Sequence, residues 1–191
     1  MVNEEEVLEL FQKTRAVHRG HFELSSGYHT DTYYQSAQIF QHPSLAEKVG
    51  DEIARTFRDK QVDVVVSPAV GGIVLGFAVA LGLGCRAIFT EREQGKMTLR
   101  RGFSIDKGER VLIVEDVVTT GDSLREVIDI ARKTGARIVG LASLLNRGGK
   151  EEIAGIRLRA LLTVEHPLYP PGKCPLDREK IPLVSPGSRR L

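Results

Sequence analysis

The residues best suited to chemistry lie in one run, Val111-Leu112-Ile113-Val114-Glu115-Asp116-Val117-Val118-Thr119-Thr120-Gly121-Asp122-Ser123. Four apolar residues deliver two adjacent carboxylates, and a Thr-Thr-Gly-Asp-Ser loop then opens a helix. Gly121 permits a tight turn. The hydroxyls of Thr119, Thr120 and Ser123 join the free N–H groups of a helix N-terminus, which suits a phosphate dianion. Glu115 and Asp116 can accept hydrogen bonds from two vicinal hydroxyls. A phosphate site one turn from a diol site describes a ribose 5-phosphate. The run lacks the lysine of a GxxxxGK[ST] loop and is not the GxGxxG dinucleotide pattern. A well-capped helix after an acidic strand end would use some of the same residues, Asp122 and Ser123 above all.

Arg92, Lys96, Arg100 and Arg101 fall within ten residues of one another, bracketed by Gly95 and Gly102 as hinge candidates. Such a cluster beside a phosphate cradle can hold a diphosphate and stabilise charge growing on it. The backbone N–H groups of Gly71 and Gly72 offer further anion donors. Arg147 follows an apolar strand at the edge where ligands gather, and its guanidinium can pair bidentately with a carboxylate. His18, His21, His29, His42 and His166 show no metal-ligand spacing, nor do Cys85 and Cys174.

The elements that must position these groups follow from periodicity. Residues 4–15 read as an amphipathic helix on Val7, Leu10 and Phe11. Residues 20–34 read as short strands and turns. Pro43-Ser44 opens a second helix, with Ser44 and Glu47 at capping-box spacing and Leu45, Val49, Ile53 and Phe57 in one stripe. Strand 62–66, loop 67–72, a buried helix over 73–83 and strand 86–90 come next. The polar stretch 91–108 has no strong period. Strand 111–114 ends in the two acids, loop 117–121 leads to helix 122–134 capped by Gly135, and strands 138–145 and 158–164 complete the pattern. Apolar strands alternating with helices imply an α/β fold, a mostly parallel central sheet flanked by helices. Ligands of such sheets sit beyond the carboxyl ends of the strands. The chain divides into residues 1–40, a core over 41–165 and an irregular, proline-rich tail over 166–191.

The chain has 191 residues, 27 basic and 25 acidic side chains and a net charge of +2, with 41% hydrophobic and 27% charged residues. That composition fits a single globular domain and excludes disorder, collagen or coiled coil as its description. Near-neutral charge argues against a general nucleic-acid binder, so cationic function is local. No apolar stretch reaches the ~18 residues of a membrane span. The acidic start, Met1-Val2-Asn3-Glu4-Glu5-Glu6, lacks a signal-peptide pattern. Two distant cysteines read as reduced thiols in a cytoplasmic protein.

The run 111–123 resembles the phosphoribosyl diphosphate signature of type I phosphoribosyltransferases, and further motifs resemble the orotate branch of that family. Gly20-His21-Phe22-Glu23-Leu24-Ser25-Ser26-Gly27 is similar to its N-terminal substrate segment, and Tyr33 falls where it carries an aromatic. Thr90-Glu91-Arg92-Glu93-Gln94-Gly95-Lys96-Met97 occupies its mobile-loop position, and Leu144-Leu145-Asn146-Arg147 resembles its strand ending in an orotate-holding arginine. The resemblance covers about residues 4–165; the closing Ser185-Pro186-Gly187-Ser188-Arg189 is also similar to one branch, with no function attached.

The resemblance implies the type I fold with a small N-terminal hood over about residues 1–40. It implies transfer of phosphoribosyl from phosphoribosyl diphosphate to orotate, giving orotidine 5'-monophosphate and pyrophosphate in de novo pyrimidine biosynthesis. Phosphoribosyl diphosphate would meet Glu115, Asp116, Val117, Val118, Thr119, Thr120, Gly121, Asp122, Ser123, Gly71, Gly72, Arg92 and Lys96. Orotate would meet Thr119, Arg147, Ser26 and Gly27. Thr119 stands where purine-salvage relatives carry an aspartate. Lys96 and Arg92 would be the catalytic cations, with Mg²⁺ carried by the diphosphate rather than held by the protein. A homodimer is implied, with loop 91–102 acting across subunits. The sequence departs from the family pattern in two places: Lys96 aligns with its lysine only after a one-residue shift and has no histidine beside it, and Gly71-Gly72 stands where a lysine often follows. Transfer to another base, purine or uracil, is the nearest rival; a phosphoribosyl-diphosphate-sensing regulator is the more distant one, disfavoured because the N-terminal stretch is too short for a DNA-binding module.

Overall fold

A computed structural model describes residues 3–24 and 26–186. Ser25 and the Gly187-Ser188-Arg189 part of the closing motif lie outside the described residues. The central sheet has seven strands: β3 (Val64–Pro68), β4 (Arg86–Glu93), β5 (Lys96–Leu99), β6 (Arg110–Val118), β7 (Arg137–Asn146), β8 (Glu152–Ile153) and β9 (Ile156–Thr163). Their order is β5-β4-β3-β6-β7-β9-β8. The five inner strands run parallel, and β5 and β8 close the edges as antiparallel hairpins.

The inner strands are continuously apolar because both sheet faces are covered. Val64, Val65 and Val66 of β3, and Val111, Leu112, Ile113 and Val114 of β6, are fully buried. Alternate residues point to opposite faces. Val65, Leu112 and Val114 join the core under α1 (Glu4–Lys13), α3 (Pro43–Phe57) and α4 (Gly72–Leu83). Val64, Val66, Val111 and Ile113 join the core under α5 (Asp122–Lys133). Truncating Leu112 or Ile113 to Ala would cost about 2–5 kcal/mol.

The helices begin close to where the sequence places them, with two differences. Pro43 occupies the first turn of α3 and His42 caps it without a side-chain bond. A proline's fixed φ starts the helix early, so Ser44 and Glu47 lie inside the helix and form no capping box. That device occurs instead on α1, where Asn3 and Glu6 bond reciprocally to each other's backbone N–H groups. Helix α4, read as buried, buries only one face. Leu75 and Val79 are fully covered, while Val74, Phe77 and Leu81 are 45%, 63% and 64% exposed.

The hood is a second sheet, order β10-β1-β2, of β1 (Val17–Glu23), β2 (His29–Tyr34) and β10 (Leu183–Val184). Residues 166–191 are therefore not simply an irregular tail. They include α6 (Pro175–Arg178) and β10, which pairs in parallel with β1 through His21↔Leu183 and Phe22↔Val184. A two-residue strand carries too little periodicity to be read from sequence. A short helix, α2 (Ala37–Phe40), leads from the hood to the core.

Candidate active site

Strand β6 continues to Val118, so Glu115 and Asp116 lie inside it rather than just beyond it. The reason is pairing. Neighbouring β7 stays in register through Glu115↔Ser143, Val117↔Leu145 and Val118↔Asn146. The backbone N–H of Arg147 then donates to the Val118 carbonyl at 2.7 Å. One ladder thus places the acid pair and the arginine side by side at the carboxyl edge of the sheet.

A cavity of about 850 Å³ opens there. Glu115, Asp116 and every residue from Val117 to Ser123 line it, as do Gly71, Arg92, Ser26 and Arg147. Gly72, Gly27 and Lys96 do not. Gly72 opens α4 and is buried there, Gly27 lies in the turn between β1 and β2, and Lys96 is exposed on β5.

Gly121 caps α5 with φ +80, a conformation that favours glycine, and a Cβ there would also push on the Ile153 side chain at 2.7 Å. No side chain caps α5, which leaves its first N–H groups for an anion. The Thr120 hydroxyl donates to Asp122 at 2.8 Å, fixing the loop. Gly71 closes the opposite wall. A Cβ on it would lie 2.5 Å from an Asp116 carboxylate oxygen, so glycine there lets the backbone approach the acid.

The two acids differ. Asp116 accepts a short hydrogen bond from the Ser36 hydroxyl. Burial, and then the Asp116 charge, hold the Glu115 carboxyl well above the usual carboxylate range. Tyr33 is raised by burial and then by Asp116. Arg147 is only 2% exposed. Its guanidinium donates to the Thr30 hydroxyl, its Nε has no hydrogen-bond partner, and no described carboxylate forms an ion pair with it. Burial lowers its pKa. A buried, uncompensated guanidinium is costly unless an anion arrives.

The stretch 91–102 is more ordered than its composition suggests. Its first part is a hairpin in which β4 and β5 pair through Glu91↔Thr98, Arg92↔Met97 and Glu93↔Lys96, turning at Gln94 and Gly95, both at positive φ. Its cations are mostly spoken for. Arg92 forms a bidentate pair with Glu126 of α5 at 2.5 and 3.1 Å, Arg101 bonds Glu91 at 3.0 Å, and Arg100 lies 3.4 Å from Glu93. Among the described residues Lys96 is the cation of this cluster without an acidic partner.

Sequence reading missed Ser36, Gln35, Tyr34 and Glu126. Each is an ordinary polar residue in an element whose position only the tertiary fold sets. Leu24 and Pro186 also line the cavity.

The phosphate cradle, acid pair and cation-bearing hairpin on this α/β sheet are those of a phosphoribosyltransferase, and a model of the phosphoribosyl transferase domain matches residues 35–154. An orotate phosphoribosyltransferase of Desulforamulus reducens is 46% identical over 190 residues, covering 100% of both chains. One of Caldanaerobacter subterraneus is 47% identical over the same length and coverage. The crystal structure of orotate phosphoribosyltransferase from Aeropyrum pernix superposes with a TM-score of 0.69 at 25% identity, over 83% of this chain and 93% of that one. The chain belongs to the orotate phosphoribosyltransferase family.

Proposed function

We propose the following division of labour for transfer of the phosphoribosyl group from phosphoribosyl diphosphate to orotate. The 5-phosphate sits on the uncapped start of α5, between Thr119 and Ser123. Asp116 and Glu115 accept hydrogen bonds from the ribose hydroxyls. The diphosphate lies toward Gly71 and the hairpin. Arg147 receives the orotate carboxylate, with Thr119 beside the base and Ser26 at the hood. The buried Arg147 guanidinium, lacking any acidic partner among the described residues, is the observation that carries this assignment.

The bond from the anomeric carbon to the pyrophosphate oxygen breaks, its electron pair leaves with pyrophosphate, and an orotate nitrogen forms the new bond. The transition state is cationic at the sugar and gains negative charge on the leaving group. No protein nucleophile is required. Charge stabilisation at the diphosphate is required, and Lys96 is the cation free to supply it. The cavity's oxygen donors, Asp116, Asp122 and the threonine hydroxyls, suit a hard cation. Mg²⁺ bound to the diphosphate would offset its charge there.

Lys96 lies outside its own cavity, and α4 presents Val74, Phe77 and Leu81 to solvent. Both features fit a homodimer that covers this apolar stripe and sends residues 91–102 into the partner's site. No helix among the described residues is long and apolar enough to cross a membrane; with two free cysteines this supports the cytoplasm as the place of work. The test is product formation with Mg²⁺ and phosphoribosyl diphosphate, offering orotate, hypoxanthine, xanthine, adenine and uracil separately. Loss of orotate absorbance alone supports the assignment; turnover of a base without a carboxylate at equal efficiency would remove Arg147's role.

A further inference from the structure

Far apart in sequence, His21, His29, Cys174 and Asp177 converge where the late segment crosses the hood. One donor atom from each lies within 4.8 Å of all the others. His21 Nε2 is 2.9 Å from His29 Nδ1, and both nitrogens are 3.5 Å from an Asp177 carboxylate oxygen. His21, His29 and Cys174 are 2%, 6% and 1% exposed, and Cys174 is a free thiol. We propose that these four residues form a tetrahedral zinc site that fastens the segment around α6 to the hood.

Ligand type, spacing and supporting contacts all point this way. Two imidazoles, a thiolate and a carboxylate form a set that suits a borderline-soft cation such as Zn²⁺ rather than Mg²⁺. Zinc bonds of about 2.0–2.3 Å in tetrahedral geometry put ligand atoms roughly 3.3–3.8 Å apart; the two 3.5 Å separations fall in that range, and the 2.9 Å His21–His29 contact is a hydrogen bond that an entering ion would open. His21 Nδ1 lies 2.9 Å from the Ile181 carbonyl. Donation to that carbonyl fixes the tautomer and leaves Nε2 with its lone pair toward the cluster, as the outer contacts of metal-bound histidines do. The fold also prepares the site. A register shift in the β1–β2 ladder falls between Arg19 and Phe22, and the partner of His29 is Glu23. His21, two residues before Glu23, therefore shares a face with His29. A main-chain bridge between His29 and Tyr169 brings the returning chain alongside. Asp177 is partly exposed and offers a way in.

Coordination releases the thiol proton of Cys174, after which thiolate and carboxylate balance the dication's charge. The Ile181 carbonyl that orients His21 lies two residues before β10, and Pro186, just after β10, lines the active-site cavity. The site would therefore hold the hood's third strand and one wall of the cavity.

The test uses the tag-free full chain, prepared with zinc and then stripped with a chelator. About one zinc per chain is expected by elemental mass spectrometry. Readdition should raise Tm, and Co²⁺ substitution should give a thiolate charge-transfer band together with tetrahedral d–d bands. Cys174→Ser should abolish the charge-transfer band. Asp177→Asn, a mild change at a half-open position, should weaken zinc binding at least tenfold. Asp177→Cys, which adds a softer ligand, should tighten it at least tenfold. A chain that takes up no zinc at micromolar free metal, or binds it with unchanged affinity in Asp177→Asn and Asp177→Cys, overturns the site. Neither readout depends on orotate turnover, so the result is independent of the reaction assigned above.

Discussion

The two ends of β6 carry the same kinds of charge and treat them in opposite ways. At its start, Arg110 is fully matched. Its Nε and a terminal nitrogen bond Asp63 at 2.9 and 2.7 Å, its backbone N–H donates to the same carboxylate at 2.8 Å, and its other terminal nitrogen bonds Gln61. That pairing holds Asp63 down to about 2, chiefly through the Arg110 side-chain bonds. At its far end, Glu115 is held above its usual range and neighbouring Arg147 has a buried nitrogen without a partner. One end satisfies its charges within the protein. The other leaves them unsatisfied, as the binding proposed above for orotate and phosphoribosyl diphosphate requires. Residual dissatisfaction, rather than charge itself, separates binding edge from structural edge.

Four variants would break or sharpen this contrast. Lys96→Ala should reduce turnover by about 10²–10³ with little change in substrate binding, because its charge matters most as pyrophosphate departs. Steady-state kinetics check this, and full turnover would transfer the role to Arg92, Arg100 or Arg101. Mixing it with Asp116→Asn should restore part of the activity if subunits exchange, since some hybrids then hold one intact site.

Arg147→Ala should raise the orotate KM by about 30- to 150-fold, equivalent to roughly 2–3 kcal/mol for a charge-assisted bond. It should not lower Tm, because an uncompensated buried charge is removed. A destabilised variant with normal orotate affinity would place Arg147 among the structural charges. Calorimetry of the Glu115→Gln, Asp116→Asn double variant should show phosphoribosyl diphosphate binding weakened tenfold or more, from losing both carboxyl acceptors, a bond to a charged group being worth about 1.5–3 kcal/mol.

The smallest effect belongs to the matched end. Asp63→Asn should leave kcat and KM unchanged and lower Tm at neutral pH. The folded pKa lies below the unfolded value of 3.8, so the pair's stability is present above 3.8 and fades as pH falls toward about 2. Melting curves of parent and variant should converge across that window; a constant gap would mean that packing, not charge, ties Asp63.

The sheet and the phosphate loop were legible in the sequence because each is local. Val111–Val114 announces a doubly covered strand, and Thr119–Ser123 announces a helix start. The acids were visible, but the upward shift of Glu115 was not, since it comes from burial and from the charge of Asp116 beside it. The stretch 91–108 shows no strong period in the sequence, and its hairpin was not legible because it is held partly by Glu126, on another element. Lys96, singled out from the sequence as the essential cation, stands outside its own cavity. His21 and His29, with Cys174 and Asp177, escaped notice because metal spacing is sought along the chain and this cluster is assembled across it.

The pairing of β10 with β1 has a consequence for biosynthesis. His21 meets a carbonyl 160 residues further along the chain, so the hood sheet lacks its third strand until residues 183–184 have emerged from the ribosome. Synthesis proceeds at about 5–20 residues per second, and over those seconds strands β3 to β9 of the central sheet can already assemble. The order of translation thus lets the central sheet assemble before the three-stranded hood sheet can close.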